Sequence, residues 1–308
     1  MRHFLDITDL SIDELIEVLA LSEAPIASLG RPLDGRGVAL IFEKPSNRTR
    51  QSTEMAVVQL GGHPIYTRGE EVGFDVRESV EDIARIMSGY HAMLAARVFD
   101  HGVVSRLAAS ASVPVVNMLS DRSHPLQGLA DTLTMQQTLG SLAGRTVAYV
   151  GDYNNVSRSL AEASVMLGAH VRLGCPAGYD ASPDELARID ALGPGTVEQF
   201  GDPAAAVKGS NVVHTDTWTS MGQEAEKAER TEIFGRYQVN DALMAAAGDG
   251  SSEAWFMHCL PAYRGLEVTD AVIEGDRSLV WKQGHNRMHT ARGVMAFLAG
   301  VRTTEARS

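Results

Sequence analysis

Short apolar runs recur along this chain, and a segment with helical spacing or a helix cap follows nearly every one. LSIDELIEVLALS (Leu10 to Ser22) opens with a serine or aspartate cap and repeats apolar residues at helical intervals. GVALIFEK (Gly37 to Lys44) is apolar on consecutive positions, as a strand covered on both faces requires. RTRQSTEMAVVQLGG follows as a helix stopped by Gly61 and Gly62. HPIYT reads as a strand, RESVEDIARIMSG (Arg77 to Gly89) as a helix, HAMLAARV as a strand, SRLAAS as a short helix and VPVVNML as a strand. Behind Pro125, residues Leu126 to Leu139 form a helix that bridges two halves, and then the alternation restarts. TVAYVGD, HVRLGCP, NVVHTD and AWFMHCLP are strands. VSRSLAEASVMLG, SPDELARIDALG and EAEKAERTEIFG are helices, and SLVWKQGHNRMHTARGVMAFLAG is a long final one. Parallel strands need a crossover between them, so this order predicts an α/β fold. Two similar domains are expected, each a mostly parallel sheet flanked by helices, over residues 1–135 and 136–308. A cleft between two such halves is a common place for a ligand.

A chain of 308 residues accommodates two domains of ordinary size. Hydrophobic residues at 44% and charged residues at 21% fit a soluble globular protein. The formal net charge of −12 argues against a nucleic-acid partner, which would demand a surplus of lysine and arginine. It leaves room for one small anion in a local basic pocket. Two cysteines, Cys175 and Cys259, are too few for a disulfide scaffold and point to a reducing compartment. MRHFLDITDLS has acidic residues and no long apolar run, so it does not read as a signal peptide. No stretch is long enough to span a bilayer. The expected location is the cytoplasm, with no membrane partner.

The basic cluster KPSNRTR (Lys44 to Arg50) stands where a strand turns into a helix. Pro45 ends the strand, and Ser46 or Asn47 can cap the helix. The first helical turn leaves amide N–H groups free, the helix dipole favours an anion there, and Arg48, Thr49 and Arg50 add donors. A capped surface helix with arginines in solvent is the competing reading. Arg97 ends another strand, and His124, Pro125 and Gln127 follow a third. A parallel sheet gathers its strand ends on one edge, so Arg48, Arg97 and His124 are placed to converge on one ligand.

Taken with the later stretches GDYNN, DTWTSMGQE and FMHCLPAYRG, the run Ser-x-Arg-Thr-Arg and the run His-Pro-x-Gln-x-Leu-x-Asp resemble the carbamoyltransferase family, in its ornithine branch. The resemblance extends from the N-terminal helix to NRMHTARGVMAFL. It implies transfer of the carbamoyl group of carbamoyl phosphate to L-ornithine, giving citrulline and phosphate. It implies two α/β domains, with the C-terminal helix packing back on the first, and a homotrimer or a multiple of trimers. Metal and cofactor are not part of the implied scheme. Carried over residue by residue, Ser46, Asn47, Arg48 and Thr49 hold the phosphate, and Arg97 bridges phosphate and carbonyl oxygens. His124 and Gln127 contact the carbamoyl group, and Arg287 reaches back to carbamoyl phosphate. Asn155, Asp216, Ser220 and Met221 hold the amino-acid end of ornithine. Cys259 and Leu260 lie beside the reacting amine and complete the carbamoyl phosphate contacts. Arg97, His124, Cys259 and Arg287 carry the catalytic roles.

The chemistry is consistent with these residue types. An amine attacks the carbonyl of a mixed anhydride, so cations and N–H donors must face both the carbonyl and the phosphate oxygens. The α-ammonium of ornithine needs a carboxylate, and Asp216 is one. Read alone, Cys259 remains either a nucleophile or a buried strand-end thiol. Cys175 has no acidic or histidine neighbour and is expected to be structural. Trp218 is expected to pack. Asn47 stands where threonine is common in this branch. Many members of the family it resembles carry a glutamine shortly before the matching Glu-Ser that reaches a neighbouring subunit's carbamoyl phosphate; Gly69 to Ser79 has Gly73 or Phe74 near that place, and either Arg77 replaces that donor or the contact is missing. Tyr263, Lys282 and Gln283 are also uncommon choices. Another acceptor amine, and a catalytically silent paralogue, are the alternatives left open.

Overall fold

In the computed structural model, which describes residues 1–219, 223–248 and 253–303, all strands pair in parallel and fall into two sheets. The first contains β1 (Gly37–Phe42), β2 (His63–Arg68), β3 (His91–Arg97) and β4 (Val115–Leu119) in the order β2-β1-β3-β4. The second contains β5 (Thr146–Val150), β6 (His170–Gly174), β7 (Thr196–Phe200), β8 (Val212–Thr215) and β9 (Trp255–His258) in the order β7-β6-β5-β8-β9. Each belongs to its own compact unit: residues 1–130 with the segment from His285, and residues 131–284. The α/β class with two parallel sheets flanked by helices is therefore as expected.

The strand order reverses direction once in each sheet, between β1 and β3 and between β5 and β8. Chain leaving two neighbouring strands on opposite sides of such a point opens a crevice at their carboxyl ends, where ligands bind in this architecture. Every strand-end motif singled out in the sequence follows one of the strands β1, β3, β4, β5, β8 or β9.

Burial explains which strands the sequence announced. In β1, β3, β5 and β8 nearly every residue is buried, so they read as continuous apolar runs. In the second unit the two faces of β5 serve separate cores. Val147 and Tyr149 pack with Leu160, Val165 and Leu173, while Ala148 and Val150 pack with Phe234, Tyr237 and Phe256. The strand β7 was not expected: it lies at a sheet edge, and Thr196, Glu198 and their neighbours are exposed or half-buried, so its residues carry no apolar run.

Helix ends follow their caps. Ser11 caps Ile12–Glu23, with the Glu14 N–H donating to its hydroxyl at 3.3 Å. The helix expected from Arg77 starts at Val80, because Ser79 caps it. SRLAAS belongs to a longer helix, His101–Ser110, capped by Asp100. EAEKAERTEIFG divides into a 3-10 turn, Glu224–Glu226, and a helix, Lys227–Phe234. Gly69–Val72, Asp241–Ala246 and Asp270–Ile273 are short helices without an expected counterpart.

The final helix, Val280–Leu298, contributes to the first unit from His285 onward. Arg292 donates to Gln59 Oε1 (2.9 Å) and to the carbonyls of Ser22 (2.7 Å) and Ala24 (3.2 Å). Gly293 lets this helix approach Ile12–Glu23: a Cβ there would stand 2.7 Å from the Val18 carbonyl and 2.9 Å from the Ser22 nitrogen. Both are backbone atoms and cannot swing away. Alanine at a helical glycine normally stabilises by about 1 kcal/mol, whereas overpacking a close contact costs about 1–3 kcal/mol. Because both clashing atoms are backbone, the cost lies toward the upper end, and Gly293→Ala should lower the urea midpoint, with a net loss of up to about 2 kcal/mol. An unchanged or raised midpoint would contradict the close helix contact.

Candidate active site

In the first unit, four of the expected residues meet at one hydroxyl. Ser46 caps the helix Asn47–Gln59 with extended backbone, and its Oγ accepts from the Thr49 N–H at 3.3 Å. The Ser46 hydroxyl also donates to Thr49 Oγ1 at 3.0 Å. Arg97, the last residue of β3, donates to the same Thr49 oxygen at 3.3 Å, and Arg287 donates to it at 2.6 Å. Both guanidinium groups are buried, at 6% exposure each. Two cations thus point at one neutral oxygen beside the free amides of a helix start. A dianion is the natural complement of that arrangement. Arg48 is half-buried, and its Nε is buried without a hydrogen-bond partner among the described residues. Asn47 is exposed at the first helical turn.

His124 and Gln127 begin the helix Pro125–Leu139 and are both buried. The Gln127 N–H donates to the His124 carbonyl at 2.9 Å, which fixes their spacing. Burial first, then the charges of Arg287 and Arg97, push the His124 imidazole well below its usual range. It is therefore a neutral ring at physiological pH, a hydrogen-bonding group and not a third cation.

The second unit assembles groups of opposite sign. Asp216 directly follows β8 and is 6% exposed. Its Oδ2 accepts from Asn154 Nδ2 at 3.0 Å, and its Oδ1 accepts from the Cys259 thiol at 3.0 Å. Asn154 caps the helix Asn155–Met166, with Oδ1 accepting from the Val156 and Ser157 N–H groups. Asn155, the residue expected at the site, is the first residue of that helix and half-buried. Asn154 was missed, although Asn before a helical pattern is itself a cap signal. Asp152 lies in the same turn and pairs with Arg230. Burial pushes its carboxyl up more than Arg230 pulls it down, with Asp216 adding to the rise. Arg230 also donates to the Trp218 carbonyl. Trp218 stacks on Phe234 and is buried, as a packing residue should be.

Cys259 and Leu260 follow β9. Leu260 has φ +58°, unusual for a branched residue, and the Leu260–Pro261 peptide is cis. Asp216, His258 and Cys259 place donor atoms within 4.8 Å of one another. A metal ion does not fit there. The Nδ1 of His258 already accepts from the Leu260 N–H at 2.9 Å, and Nε2 faces Glu267 at 3.2 Å, so neither ring nitrogen is open. Cys175 is buried, and burial raises its thiol far above the usual range. Arg77 is exposed and donates to the Glu71 carbonyl at 3.3 Å. Ser220 and Met221 lie outside the described residues.

The chain matches two adjoining family models. Residues 2–137 match the aspartate/ornithine carbamoyltransferase carbamoyl-P binding domain, and residues 143–298 match the Asp/Orn binding domain of the same family. An ornithine carbamoyltransferase of Acidothermus cellulolyticus is 45% identical over 306 residues, covering 97% of this chain and 96% of the relative. An anabolic ornithine carbamoyltransferase of Pyrococcus furiosus is 43% identical over 309 residues, covering 97% and 96%. The solved ornithine carbamoyltransferase structure from Pyrococcus furiosus superposes with a TM-score of 0.92 at 41% identity, covering 98% of both chains. With both halves of the family's architecture matched in order and along almost its whole length, the chain belongs to the aspartate/ornithine carbamoyltransferase family.

Proposed function

We propose that this protein transfers the carbamoyl group of carbamoyl phosphate to the side-chain amine of L-ornithine, giving L-citrulline and phosphate. The observation that carries the reading is the sign of each half-site. Arg97 and Arg287 converge on Thr49 at a helix start, and Asp216 is buried beside Cys259 and Asn154.

In this reading Ser46, Asn47, Arg48 and Thr49 take the phosphate oxygens, and Arg97 and Arg287 hold the charge that grows as phosphate leaves. His124, kept neutral, and Gln127 orient the carbamoyl group. Asp216 meets the α-ammonium of ornithine, and Asn155 serves its α-carboxylate with Ser220 and Met221. The δ-amine, once deprotonated, attacks the carbonyl carbon. A new C–N bond forms, the bond from carbon to the phosphoryl oxygen breaks, and phosphate carries away that electron pair and takes up the proton that the attacking nitrogen sheds. Cys259 and Leu260 stand beside the amine. A thiol that donates to Asp216 is held as a thiol, since a thiolate there would face a carboxylate, so the proposed role of Cys259 is to position the amine and not to form a covalent intermediate.

The nature of the second half-site favours ornithine over other amines. Aspartate as acceptor would need cations around its side-chain carboxylate. Putrescine has no α-ammonium for Asp216 to meet. An acetylated ornithine would leave that buried carboxylate facing an uncharged amide. An acceptor screen with carbamoyl phosphate, followed by identification of the ureido product, decides among them. Asp216→Asn keeps the size and removes the charge. It should reduce kcat/KM for ornithine by about 30-fold or more, since a buried counterion is worth about 2–5 kcal/mol. Binding of inorganic phosphate should remain as in the parent. Full ornithine turnover in Asp216→Asn would remove ornithine from the assignment.

His124 gives a pH test in the ligand-free protein. Its folded value is lowered, while the unfolded chain takes up a proton near the ordinary value of about 6.5. Below that pH the unfolded state binds the extra proton, so stability falls as pH falls, at up to about 1.4 kcal/mol per pH unit for one group. The His124→Asn variant should lose less stability than the parent between pH 7 and pH 5, measured by urea unfolding. Parallel losses would mean that His124 is not held neutral.

We also propose a cytoplasmic homotrimer or a multiple of trimers. Exposed apolar side chains in the first unit, Val76 at 87% and Tyr90 at 73%, give a subunit contact something to cover. Among the described residues no helix is long and apolar enough to cross a membrane. Sedimentation equilibrium should give three chains or a multiple of three; a monomer with full specific activity would end this part of the reading.

A further inference from the structure

Leu260 is a leucine in a left-handed backbone conformation, φ +58°, immediately after Cys259. Such a conformation is costly for a branched residue and persists only where the surroundings over-determine it. The surroundings here are two buried side chains. The Leu260 N–H donates to Nδ1 of His258 at 2.9 Å. An amide N–H can only donate, so Nδ1 presents its lone pair, and the proton of the neutral ring sits on Nε2. Nε2 then donates to Glu267 Oε1 at 3.2 Å. The same carboxylate oxygen accepts from the Tyr263 N–H at 2.5 Å. His258 and Glu267 are 0% and 1% exposed.

One buried pair therefore ties down both ends of the turn that carries Cys259, Leu260 and Pro261. The base of the turn is held as well. The His258 N–H donates to Gln283 Oε1 at 2.9 Å, and Gln283 Nε2 donates to Asp131 at 2.7 Å. Cys259, between the two tethered residues, directs its thiol to Asp216 at 3.0 Å. If Leu260 relaxed to a right-handed backbone while β9 stayed in place, the chain from Pro261 onward would swing and the Tyr263 N–H would leave Glu267.

Resting on the proposed ornithine reading, we infer that the His258–Glu267 pair is a positioning device: it holds the strained Leu260 turn and thereby fixes Cys259 and Leu260 against the acceptor amine. His258 acts as a neutral connector with a defined tautomer. Glu267 touches no substrate; its task is to select that tautomer and to anchor Tyr263. The geometry demands reach more than charge, because a single oxygen of Glu267 receives both donors.

Two conservative variants separate reach from charge. Glu267→Gln keeps the length of the side chain and an oxygen acceptor, and loses the charge. Glu267→Asp keeps the charge and shortens the reach by one methylene. Each is assayed for citrulline formation with ornithine varied, for binding of inorganic phosphate, and for the rate at which iodoacetamide labels Cys259, read by peptide mapping. Losing one such hydrogen bond should lower kcat/KM for ornithine about tenfold in Glu267→Asp, and Glu267→Gln should recover most of that loss. Cys259 labelling should rise in Glu267→Asp and stay near the parent rate in Glu267→Gln, with phosphate binding the same in all three proteins. Equal behaviour of the two variants, or a larger loss in Glu267→Gln, would overturn the positioning role. So would a loss that falls on phosphate binding as much as on ornithine. The labelling arm needs no turnover. A parent that makes no citrulline overturns the ornithine reading, while labelling still decides whether Glu267 holds the Cys259 turn.

Discussion

Two buried guanidinium groups donating to the Thr49 hydroxyl set the terms for the first unit. Like charges in a poorly solvated place repel, and they stay together only if rigid elements hold them. Arg97 is held by β3 and Arg287 by the final helix, both packed into the core of the same unit. The third element is the helix start at Ser46, whose cap fixes Thr49 between them. This concentration of positive potential also settles the state of His124. Burial and the two arginines act in the same direction, so the imidazole is neutral and adds no further repulsion. Rigid elements hold this positive field in place, so an anion bound there would demand no reorganisation.

The second unit reverses the sign with the same architecture. Asn154, following β5, and Asp216, following β8, lie on the two sides of a strand-order reversal, as the Ser46 segment and Arg97 do after β1 and β3. Asp216 is stabilised by two donors, the Asn154 amide and the Cys259 thiol. Asp152, nearby, has a direct arginine partner and is nevertheless raised, because burial outweighs the pairing. An α-ammonium brought to Asp216 would lower the cost of burying these acids. The two units thus carry buried groups of opposite sign, cationic in the first and acidic in the second.

The strand-end logic made much of the site legible. Ser46, Thr49, Arg97 and His124 could be placed from the sequence because apolar runs reveal buried strands and the next residues must lie at their ends. Arg287 came only through family resemblance, since a mid-helix arginine carries no local signal. Asn154, next to the expected Asn155, was not singled out, because its cap and its contact to Asp216 depend on geometry that composition does not show. The strand β7 escaped because an exposed edge strand has no apolar run. Glu267 escaped for a different reason. It lies outside strand and helix, and its role depends on a histidine nine positions earlier folding back onto it.

That last case bears on the Cys259 turn as a whole. A strained residue can be kept either by packing or by hydrogen bonds, and the two respond differently to change. Packing tolerates a volume-conserving swap, whereas a buried hydrogen-bond chain fails when one acceptor moves by the length of a methylene. Leu260 is only half-buried, so packing alone is a weak hold on its left-handed backbone. The chain from the Leu260 amide through His258 to Glu267 is almost wholly buried, where hydrogen bonds are strongest and their loss is most costly. The conformation of the Cys259 turn is therefore set from beneath, by buried hydrogen-bonding groups. The 3.0 Å contact of the Cys259 thiol with Asp216 thus sits between two residues, His258 and Leu260, whose backbone N–H groups are both tied to buried side chains.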